Sequence, residues 1–336
     1  MKALVYRGPR DLVLEELEQP VCGLDEVVIE VSKVGICGSE LEGYLGHSSV
    51  RFPPLVMGHE FCGRVTELGA NVAELSIGDK VAVNPLIACG RCDRCLSGKS
   101  SICGSRRIVG IHRPGAFARY VAVPAANAIR VPDGMDPLLG SLAEPLAVAV
   151  HAVKLGVQPL DEQLIYGAGP IGLLALQAAQ CMGAGRVTVV DLQPARLAYA
   201  AELGARAVPA GELADRWTEL FPDGVDVILD CVGAQPTREQ AMKLINPGGR
   251  IVMVGLAQGV TPMPINDLVR QELSLLGSYT YSGRDFRQAL DLLEAGRIRT
   301  DGWIETRPLS AGPDAFLELA DGTTTAGKIV LDAQAN

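Results

Sequence analysis

The chain has 336 residues, of which 48% are hydrophobic, and this is enough to build a sizeable core in two domains. The formal net charge of −9 at pH 7 argues against a nucleic-acid partner. No apolar run reaches the roughly 20 residues that span a bilayer, and the N-terminus lacks the apolar core of a signal peptide. We therefore expect a cytoplasmic protein with no membrane partner.

The predicted elements change character along the chain. Over about the first 130 residues, short apolar strands such as KALVYRG, EVVIEVSKVGI and DKVAVNP are separated by Gly and Pro. Further along, predicted helices alternate with nearly continuous apolar strands, for example the strand QLIYGAG and the helix PIGLLALQAAQCMGA. Such alternation is typical of a doubly wound parallel sheet. We predict an α/β fold in which a β-rich unit precedes a nucleotide-binding unit.

Four closely spaced cysteines predict a closed metal site. The segment CGRCDRCLSGKSSIC contains Cys89, Cys92, Cys95 and Cys103. Four thiolates can surround zinc as a tetrahedron with no open position, and the small and polar residues between them cannot form a core of their own. Free thiols and disulfides are the alternatives, and a reducing compartment disfavours the disulfides. We predict a structural zinc lobe at about residues 86–106.

A glycine-rich turn predicts a dinucleotide site. Gly167, Gly169 and Gly172 have G-x-G-x-x-G spacing between a predicted strand and a predicted helix, which allows close approach of a pyrophosphate. The glycines alone also fit an ordinary helix start. Asp191 ends the next predicted strand, where a carboxylate suits a ribose 2′-hydroxyl and repels a 2′-phosphate, and Leu192 offers no compensating charge. NAD is therefore favoured over NADP.

Candidate ligands for a second metal come from three separate segments. They are Cys37 in GICGSE, His59 and Glu60 in VMGHEFCGRV, and Glu144 in LAEPLAVAVHA. A single histidine in an apolar run is more often a core residue. A catalytic zinc, however, takes a few N, S or O ligands and keeps one position open for substrate, which this set can supply.

Taken in order, these motifs resemble the zinc-dependent medium-chain dehydrogenases of the alcohol and polyol dehydrogenase family. The matching segments are GICGSE, GHEFCG, the four-cysteine lobe, EPLAVAVHA, GAGPIG, VVDLQPAR and GGRIVMVGL. The resemblance covers nearly the whole chain and implies a GroES-like catalytic domain, residues 1–146 with a return at 281–336, interrupted by a Rossmann NAD-binding domain at 147–280. Within the family, the sequence is most similar to the sorbitol, galactitol-phosphate and threonine dehydrogenase branch.

The resemblance also implies roles for residues around a catalytic zinc. Cys37, His59 and a glutamate would bind this zinc. Glu144 stands where other alcohol dehydrogenases have a second cysteine, while Glu60 would ligate directly or exchange with Glu144 or water. Ser39 would hydrogen-bond the substrate oxygen and pass its proton outward.

Further residues are implied by position within the family. Substrate contacts are expected at Glu42, Thr280 and Tyr281. Glu42 replaces the usual relay histidine, and Thr280 stands where polyol members commonly have arginine, so the proton exit and the individual substrate stay open. The residues expected to line the cofactor are Gly167, Gly169, Pro170, Ile171, Gly172, Asp191, Arg196, Val254, Leu256 and Tyr279.

The sequence therefore predicts a zinc-dependent NAD oxidoreductase with two zinc ions per chain. Its expected reaction is oxidation of a secondary hydroxyl of a polyol or sugar-type small molecule to a ketone. The family resemblance also implies a homo-oligomer, with a tetramer favoured over a dimer. Two alternatives stay open: a threonine-type amino alcohol dehydrogenase, and a non-catalytic structural protein that binds zinc and NAD.

Overall fold

The computed structural model describes residues 1–335. As predicted, short strands dominate the first part of the chain, and helices alternate with strands further along. The strands are β1 Lys2–Gly8, β2 Asp11–Glu16, β3 Glu26–Gly35, β4 Leu55–Val56, β5 Glu60–Leu68, β6 Lys80–Val83, β7 Leu86–Ile87, β8 Arg107–Ile108, β9 Tyr120–Pro124, β10 Ala128–Arg130, β11 Gln163–Tyr166, β12 Val187–Asp191, β13 Arg206–Pro209, β14 Val225–Asp230, β15 Ile245–Met253, β16 Ser274–Gly277, β17 Ile304–Pro308 and β18 Lys328–Asp332. The helices are α1 Gly38–Tyr44, α2 Asp93–Leu96, α3 Pro137–Ser141, α4 Ala143–Gly156, α5 Pro170–Cys181, α6 Pro194–Glu202, α7 Trp217–Leu220, α8 Gln235–Leu244, α9 Ile265–Arg270, α10 Gly283–Glu294 and α11 Gly312–Asp321. None of these helices is long and apolar enough to cross a membrane.

One compact unit is β-rich and comprises Met1–Glu144, Ala289–Ala295 and the chain from Thr300 onward. Its largest sheet has the order β10-β6-β5-β3-β18-β17, and β9 also pairs with β3. Inward side chains of these strands form one apolar core in which Ile29 and Phe61, for example, are almost fully buried. The C-terminal strand β18 thus completes a sheet that is otherwise built mainly by the N-terminal part of the chain.

The strand register brings three distant points of this sheet together. β3 and β5 are antiparallel with Gly35 opposite Glu60, and β18 is antiparallel to β3 with Val330 opposite Gly35. The end of β3 therefore lies beside the beginning of β5 and the middle of β18. Cys37 follows the end of β3 by two residues and His59 directly precedes β5, so this pairing places them in one region.

The second compact unit, Pro145–Gln288 with Gly296–Arg299, contains a six-stranded parallel sheet. The strand order is β13-β12-β11-β14-β15-β16, so the direction of winding reverses between β11 and β14. Open parallel sheets of this kind bind ligands at the carboxyl ends of the strands, beside such a reversal. The prediction of an α/β fold with a doubly wound parallel sheet is confirmed.

A buried carboxylate joins helices α4 and α10 within this second unit. Asp285 is almost fully buried and accepts hydrogen bonds from the His151 ring, the Lys154 ammonium and the Ser282 hydroxyl. Burial opposes ionisation of Asp285, but these donors outweigh it and hold its pKa well below the usual range. The carboxylate stays charged and fixes the start of α10 against α4.

Candidate metal and dinucleotide sites

Three of the predicted metal ligands converge in the β-rich unit. Ligand atoms of Cys37, His59 and Glu60 all lie within 4.8 Å of one another, and both His59 and Glu60 are buried. Thiolate, imidazole and carboxylate are the ligand types that zinc takes in catalytic sites. The donor set therefore fits a zinc ion with room for a further ligand.

Glu40, which was not among the predicted site residues, orients this cluster. It is fully buried in the first turn of α1, where its carboxylate accepts hydrogen bonds from the Cys37 N–H at 3.1 Å, the Gly58 N–H at 2.8 Å and His59 Nδ1 at 2.7 Å. Burial opposes ionisation of Glu40, but the His59 charge and hydrogen bond outweigh it and lower the Glu40 pKa. The contact at Nδ1 leaves Nε2 of His59 to face a metal.

Lys328 is a second residue that the sequence did not identify. Its ammonium, 1% exposed at the start of β18, forms an ion pair with Glu60 Oε2 and donates to the Ile36 carbonyl at 3.2 Å. Burial alone would lower the Lys328 pKa, yet the negative charges of Glu60 and Cys37 raise it. Lys328 therefore stays charged and holds one oxygen of Glu60.

Ser39 lies on the exposed side of the cluster, in the first turn of α1. Its hydroxyl is 3.3 Å from Cys37 Sγ and accepts a hydrogen bond from Arg51 Nη2 at 3.0 Å. Glu42, one turn further along, instead contacts the His47 ring at 3.1 Å, and both of these side chains are more than half exposed. The predicted hydroxyl is thus beside the predicted metal ligands, while Glu42 belongs to a surface pair.

Glu144 is placed differently from the other predicted ligands. It is buried in the first turn of α4, 7% exposed, but it does not belong to the group of ligand atoms that Cys37, His59 and Glu60 form. The structure therefore brings three members of the predicted set within 4.8 Å of one another, and Glu144 is not a member of that group.

The four-cysteine lobe has the geometry of a closed zinc site. The sulfur atoms of Cys92 and Cys95 are 3.5 Å apart, and Cys89–Cys95 and Cys92–Cys103 are each 3.9 Å apart. Tetrahedral zinc with Zn–S bonds of about 2.3 Å requires S···S separations of about 3.8 Å. Disulfides are much shorter, and all nine cysteines of the chain are free. These distances fit zinc.

Ionisation in the lobe also suits a metal. Backbone N–H groups of Arg91 and Cys92 lower the pKa of the Cys89 thiol to about 6, while burial and the hydrogen bond with Cys92 raise that of Cys95 to about 12. Four thiols at such short separations cannot all ionise unless a cation offsets their charge. A zinc ion supplies that charge.

The glycine-rich turn of the second unit has the shape that a pyrophosphate needs. A Cβ at Gly172 would lie 1.8 Å from the Gly167 carbonyl oxygen, so only glycine allows α5 to pack this closely on the turn. Gly169 is the N-cap of α5, and a Cβ there would meet no atom within 4 Å. Pro170 occupies the first helical position, where a backbone N–H has no partner within the helix, so the missing N–H of proline costs no helical hydrogen bond. The helix N-terminus is therefore open to an anion.

Asp191 stands at the carboxyl end of β12, beside this turn. Its two oxygens accept the N–H groups of Ala168 at 2.7 Å and Gln193 at 2.8 Å, which fixes the carboxylate at the edge of the sheet. Leu192 follows with 86% of its surface exposed, so no cation is supplied at that position. The arrangement suits an unphosphorylated ribose.

The other predicted cofactor and substrate residues of this unit lie at or near the same sheet edge. Val254 directly follows β15, while Leu256 and Tyr279 lie in the loops that follow β15 and β16 and are 81% and 39% exposed. Thr280 has a positive φ of 51°, and its buried hydroxyl makes no hydrogen bond among residues 1–335. Tyr281 is fully buried and packs on the Phe286 ring. The remaining two, Ile171 in α5 and Arg196 in α6, are half-buried.

Comparison with known families gives matches to both units. Residues 23–133 match the alcohol dehydrogenase GroES-like domain, and residues 170–295 match the zinc-binding dehydrogenase family. L-galactonate-5-dehydrogenase from Escherichia coli K12 is 34% identical to this chain over 312 residues, which are 91% of each chain.

Solved structures of similar proteins contain both forms of the nicotinamide cofactor. A zinc-binding dehydrogenase from Sinorhizobium meliloti bound to NADP is 33% identical, with a TM-score of 0.91 over 98% of each chain. An alcohol dehydrogenase from E. coli CFT073 in complex with NADH is 29% identical, with a TM-score of 0.92 over 99% of each chain. These matches confirm the predicted resemblance, the fold and the nicotinamide and zinc cofactor class.

Proposed function

This chain belongs to the zinc-dependent alcohol and polyol dehydrogenase family, and we propose that it oxidises a secondary hydroxyl of a polyol or sugar-type substrate to a ketone with NAD. The observation that carries this proposal is the convergence of Cys37, His59 and Glu60, with the Ser39 hydroxyl 3.3 Å from Cys37 Sγ. A metal-ligand set beside a hydroxyl relay is what alcohol oxidation requires.

The residues at this site have separate tasks. We propose Cys37, His59 and Glu60 as protein ligands of the catalytic zinc, with Glu144 as the alternative carboxylate, and Cys89, Cys92, Cys95 and Cys103 as ligands of the structural zinc. When bound, zinc polarises a hydroxyl and nicotinamide accepts a hydride. Glu40 keeps the His59 ring in the orientation that presents Nε2.

Ser39 is proposed to receive the proton of the substrate hydroxyl. It stands on an exposed part of α1 while its neighbours Cys37 and Arg51 are held by hydrogen bonds. Because the Arg51 N–H occupies one lone pair of Ser39 Oγ and the hydroxyl donates its proton to Cys37 Sγ, the other lone pair is available to accept the hydroxyl proton of a substrate. Glu42 and His47, both exposed, offer a route by which the proton reaches solvent.

The proposed cofactor preference rests on Asp191. Its carboxylate would accept hydrogen bonds from the ribose hydroxyls, and it would repel the 2′-phosphate of NADP. We propose that Ile171 and Arg196, in α5 and α6, and Val254, Leu256 and Tyr279, which follow β15 and β16, contact other parts of the cofactor along the sheet edge.

Substrate class is proposed from the polarity of the site residues. The buried hydroxyl of Thr280 makes no hydrogen bond among residues 1–335, and a simple alkanol would leave it without a partner, at a cost of about 1–3 kcal/mol for a buried group. A hydroxyl-rich substrate can supply that partner, in keeping with the L-galactonate specificity in the name of the E. coli relative.

A substrate panel tests this function. NADH formation would be measured with alditols, aldonates, threonine and secondary alkanols of matched length. We expect a hydroxyl-rich substrate to exceed the alkanol in kcat/KM by at least about tenfold. A preference for threonine would establish the amino alcohol alternative instead, and absence of turnover across the panel in zinc-loaded protein would establish the non-catalytic one.

We also propose a cytoplasmic homo-oligomer, a tetramer rather than a dimer, built from a catalytic domain of residues 1–146 and 281–336 and an NAD domain of 147–280. Supporting the oligomer, the edge strand β16 is largely exposed, and the nearby α9 exposes Ile265 by 57% and Val269 by 66%. Such an apolar edge is a natural place for another copy to pair. A monomer in light scattering at micromolar concentration would refute this assembly.

A further inference from the structure

We propose that Arg51 binds an anionic group of the substrate, a carboxylate or a phosphate monoester, close to the hydroxyl that is oxidised. This inference rests on the proposed polyol dehydrogenase function. It narrows the substrate from polyols in general to sugar acids or sugar phosphates.

The Arg51 guanidinium is buried with most of its hydrogen-bonding capacity unused. The residue is 5% exposed, and Nη2 donates to Ser39 Oγ at 3.0 Å. Its Nε is buried without a hydrogen-bond partner, and within residues 1–335 no carboxylate oxygen lies within 4.0 Å of its nitrogens. A guanidinium offers five N–H donors in a planar fork, and buried charges are normally paired. The unused part of this fork is suited to a bidentate anion.

Another arginine of the same unit shows the usual arrangement. Arg113 also has a buried Nε without a hydrogen bond, but its Nη1 pairs with Glu26 at 2.7 Å and its Nη2 donates to the Ala122 carbonyl at 2.8 Å. The charge of Arg113 is therefore compensated by the protein. Among residues 1–335, Arg51 has no equivalent ion pair.

Glu40 does not form an ion pair with Arg51 of the kind that Glu26 forms with Arg113. The Arg51 charge contributes to lowering the pKa of Glu40, but the hydrogen bonds to the Glu40 carboxylate come from Cys37, Gly58 and His59. With these three donors in place, Glu40 supports the metal ligands. The fork of Arg51 stays available to another acceptor.

Gly43 in α1 leaves space for the Arg51 side chain. A Cβ at Gly43 would lie 2.6 Å from Cδ of Arg51, so glycine at this position allows the arginine to cross the helix and reach Ser39. Ser39 in turn contacts Cys37 Sγ at 3.3 Å. The guanidinium is thus one hydroxyl group away from a metal ligand. A substrate whose reacting hydroxyl meets Ser39 brings its neighbouring carbons within reach of Arg51.

The test compares neutral and anionic substrates of equal configuration. The zinc-loaded full chain would be assayed with NAD on an alditol, the corresponding aldonate and the phosphate monoester of that alditol, in the gluco and galacto series. We expect wild-type kcat/KM to favour one of the anions by at least about tenfold. In Arg51→Met, the ratio of anionic to neutral efficiency should fall by roughly 10- to 100-fold, the range for a charged hydrogen-bonded pair. The anionic substrate whose kcat/KM falls most in Arg51→Met shows whether Arg51 binds a carboxylate or a phosphate.

Two further variants and a binding measurement complete the design. Arg51→Lys should restore part of the anion preference because it keeps the charge, and the matched control Arg113→Met should leave the ratio unchanged. Calorimetric titration of the enzyme–NADH complex with gluconate and with glucitol 6-phosphate should show that at least one of them binds, and that Arg51→Met weakens this binding and Arg113→Met does not.

Equal wild-type efficiency towards all three compounds of a series would overturn the role of Arg51, as would an Arg51→Met variant that lowers them equally or binds both gluconate and glucitol 6-phosphate as wild type does. Absence of turnover of every hydroxyl-rich compound would refute the proposed function instead. If Arg51→Met does not fold, the wild-type preference and Arg51→Lys still decide the question.

Discussion

Replacing Glu40 by glutamine should weaken zinc binding at the Cys37–His59 site and leave the four-cysteine lobe loaded. The Glu40 carboxylate is fully buried and receives three N–H donors, from Cys37 and Gly58 of the backbone and from the His59 ring. A glutamine has only one carbonyl oxygen. Its amide NH2 must then face at least one of these N–H groups, so that a buried donor loses its acceptor.

The expected loss of zinc affinity in Glu40→Gln follows from that lost acceptor. One buried donor without a partner costs about 1–3 kcal/mol. Replacing the hydrogen-bond partner of a metal-ligating histidine lowers metal affinity by about 10–100-fold. Since each factor of ten is about 1.4 kcal/mol, the two ranges agree. We expect the zinc dissociation constant of this site to rise by about 10–100-fold in Glu40→Gln.

The assay is zinc content per chain after equilibration with increasing concentrations of a chelator. Wild type should lose its two ions in separate steps, and Glu40→Gln should lose the first at a lower chelator concentration with the second step unmoved. Glu67→Gln, an exposed carboxylate on β5, is the matched control. A Glu40→Gln protein with wild-type steps, or one that loses both ions together, would refute the reasoning.

Three further predictions follow from the same structure. Cys95→Ser should lower the free energy of unfolding and remove one zinc, because structural zinc binding contributes to folding. Cys37→Ser should instead remove the other zinc and abolish turnover with little change in the free energy of unfolding. Metal analysis and thermal denaturation distinguish the two variants. Asp191→Ala combined with Leu192→Arg should flatten or reverse the ratio of kcat/KM for NAD and NADP, and equal wild-type values for the two cofactors would contradict the role of Asp191. Asp285→Asn should destabilise the protein by roughly 2–4 kcal/mol at neutral pH. Because the folded-state pKa of Asp285 is depressed, its contribution is complete above about pH 4 and is lost as pH falls through the folded-state value, so the difference from wild type in denaturant unfolding should narrow in acid.

The parts of the site that depend on local spacing could be predicted from the sequence. The four cysteines occupy fifteen consecutive residues, so their spacing alone restricts them to a common centre, and the structure places neighbouring sulfurs 3.5–3.9 Å apart. The glycine-rich turn is equally local, since Gly167 and Gly172 contact each other across a single turn. Helix α5 begins at Pro170, where the predicted helix begins.

Residues that act across the sheet could not be predicted in this way. Lys328 meets Glu60 from 268 positions along the chain, and only the pairing of β18 with β3 brings them together. The one local signal was a lysine at the start of the apolar strand KIVLD. Glu40 did have a detectable signal: it lies three residues after Cys37, the spacing at which an acidic side chain caps the start of a helix. Its second function, orienting His59, depends on the tertiary fold.

The remote residue Lys328 also bears on whether Glu60 or Glu144 is the third protein ligand of the catalytic zinc. From the sequence, either carboxylate completes the set. In the structure, Glu60 has a ligand atom within 4.8 Å of those of Cys37 and His59, whereas Glu144 is outside that group. The buried Lys328 holds Oε2 of Glu60, and breaking a buried ion pair costs about 3–5 kcal/mol. A carboxylate has two oxygens, however, so ligation through Oε1 keeps the ion pair intact and gives the ligand the supporting hydrogen bond that metal-bound carboxylates usually have. We therefore propose that Glu60 ligates through Oε1, with Lys328 paired to its other oxygen.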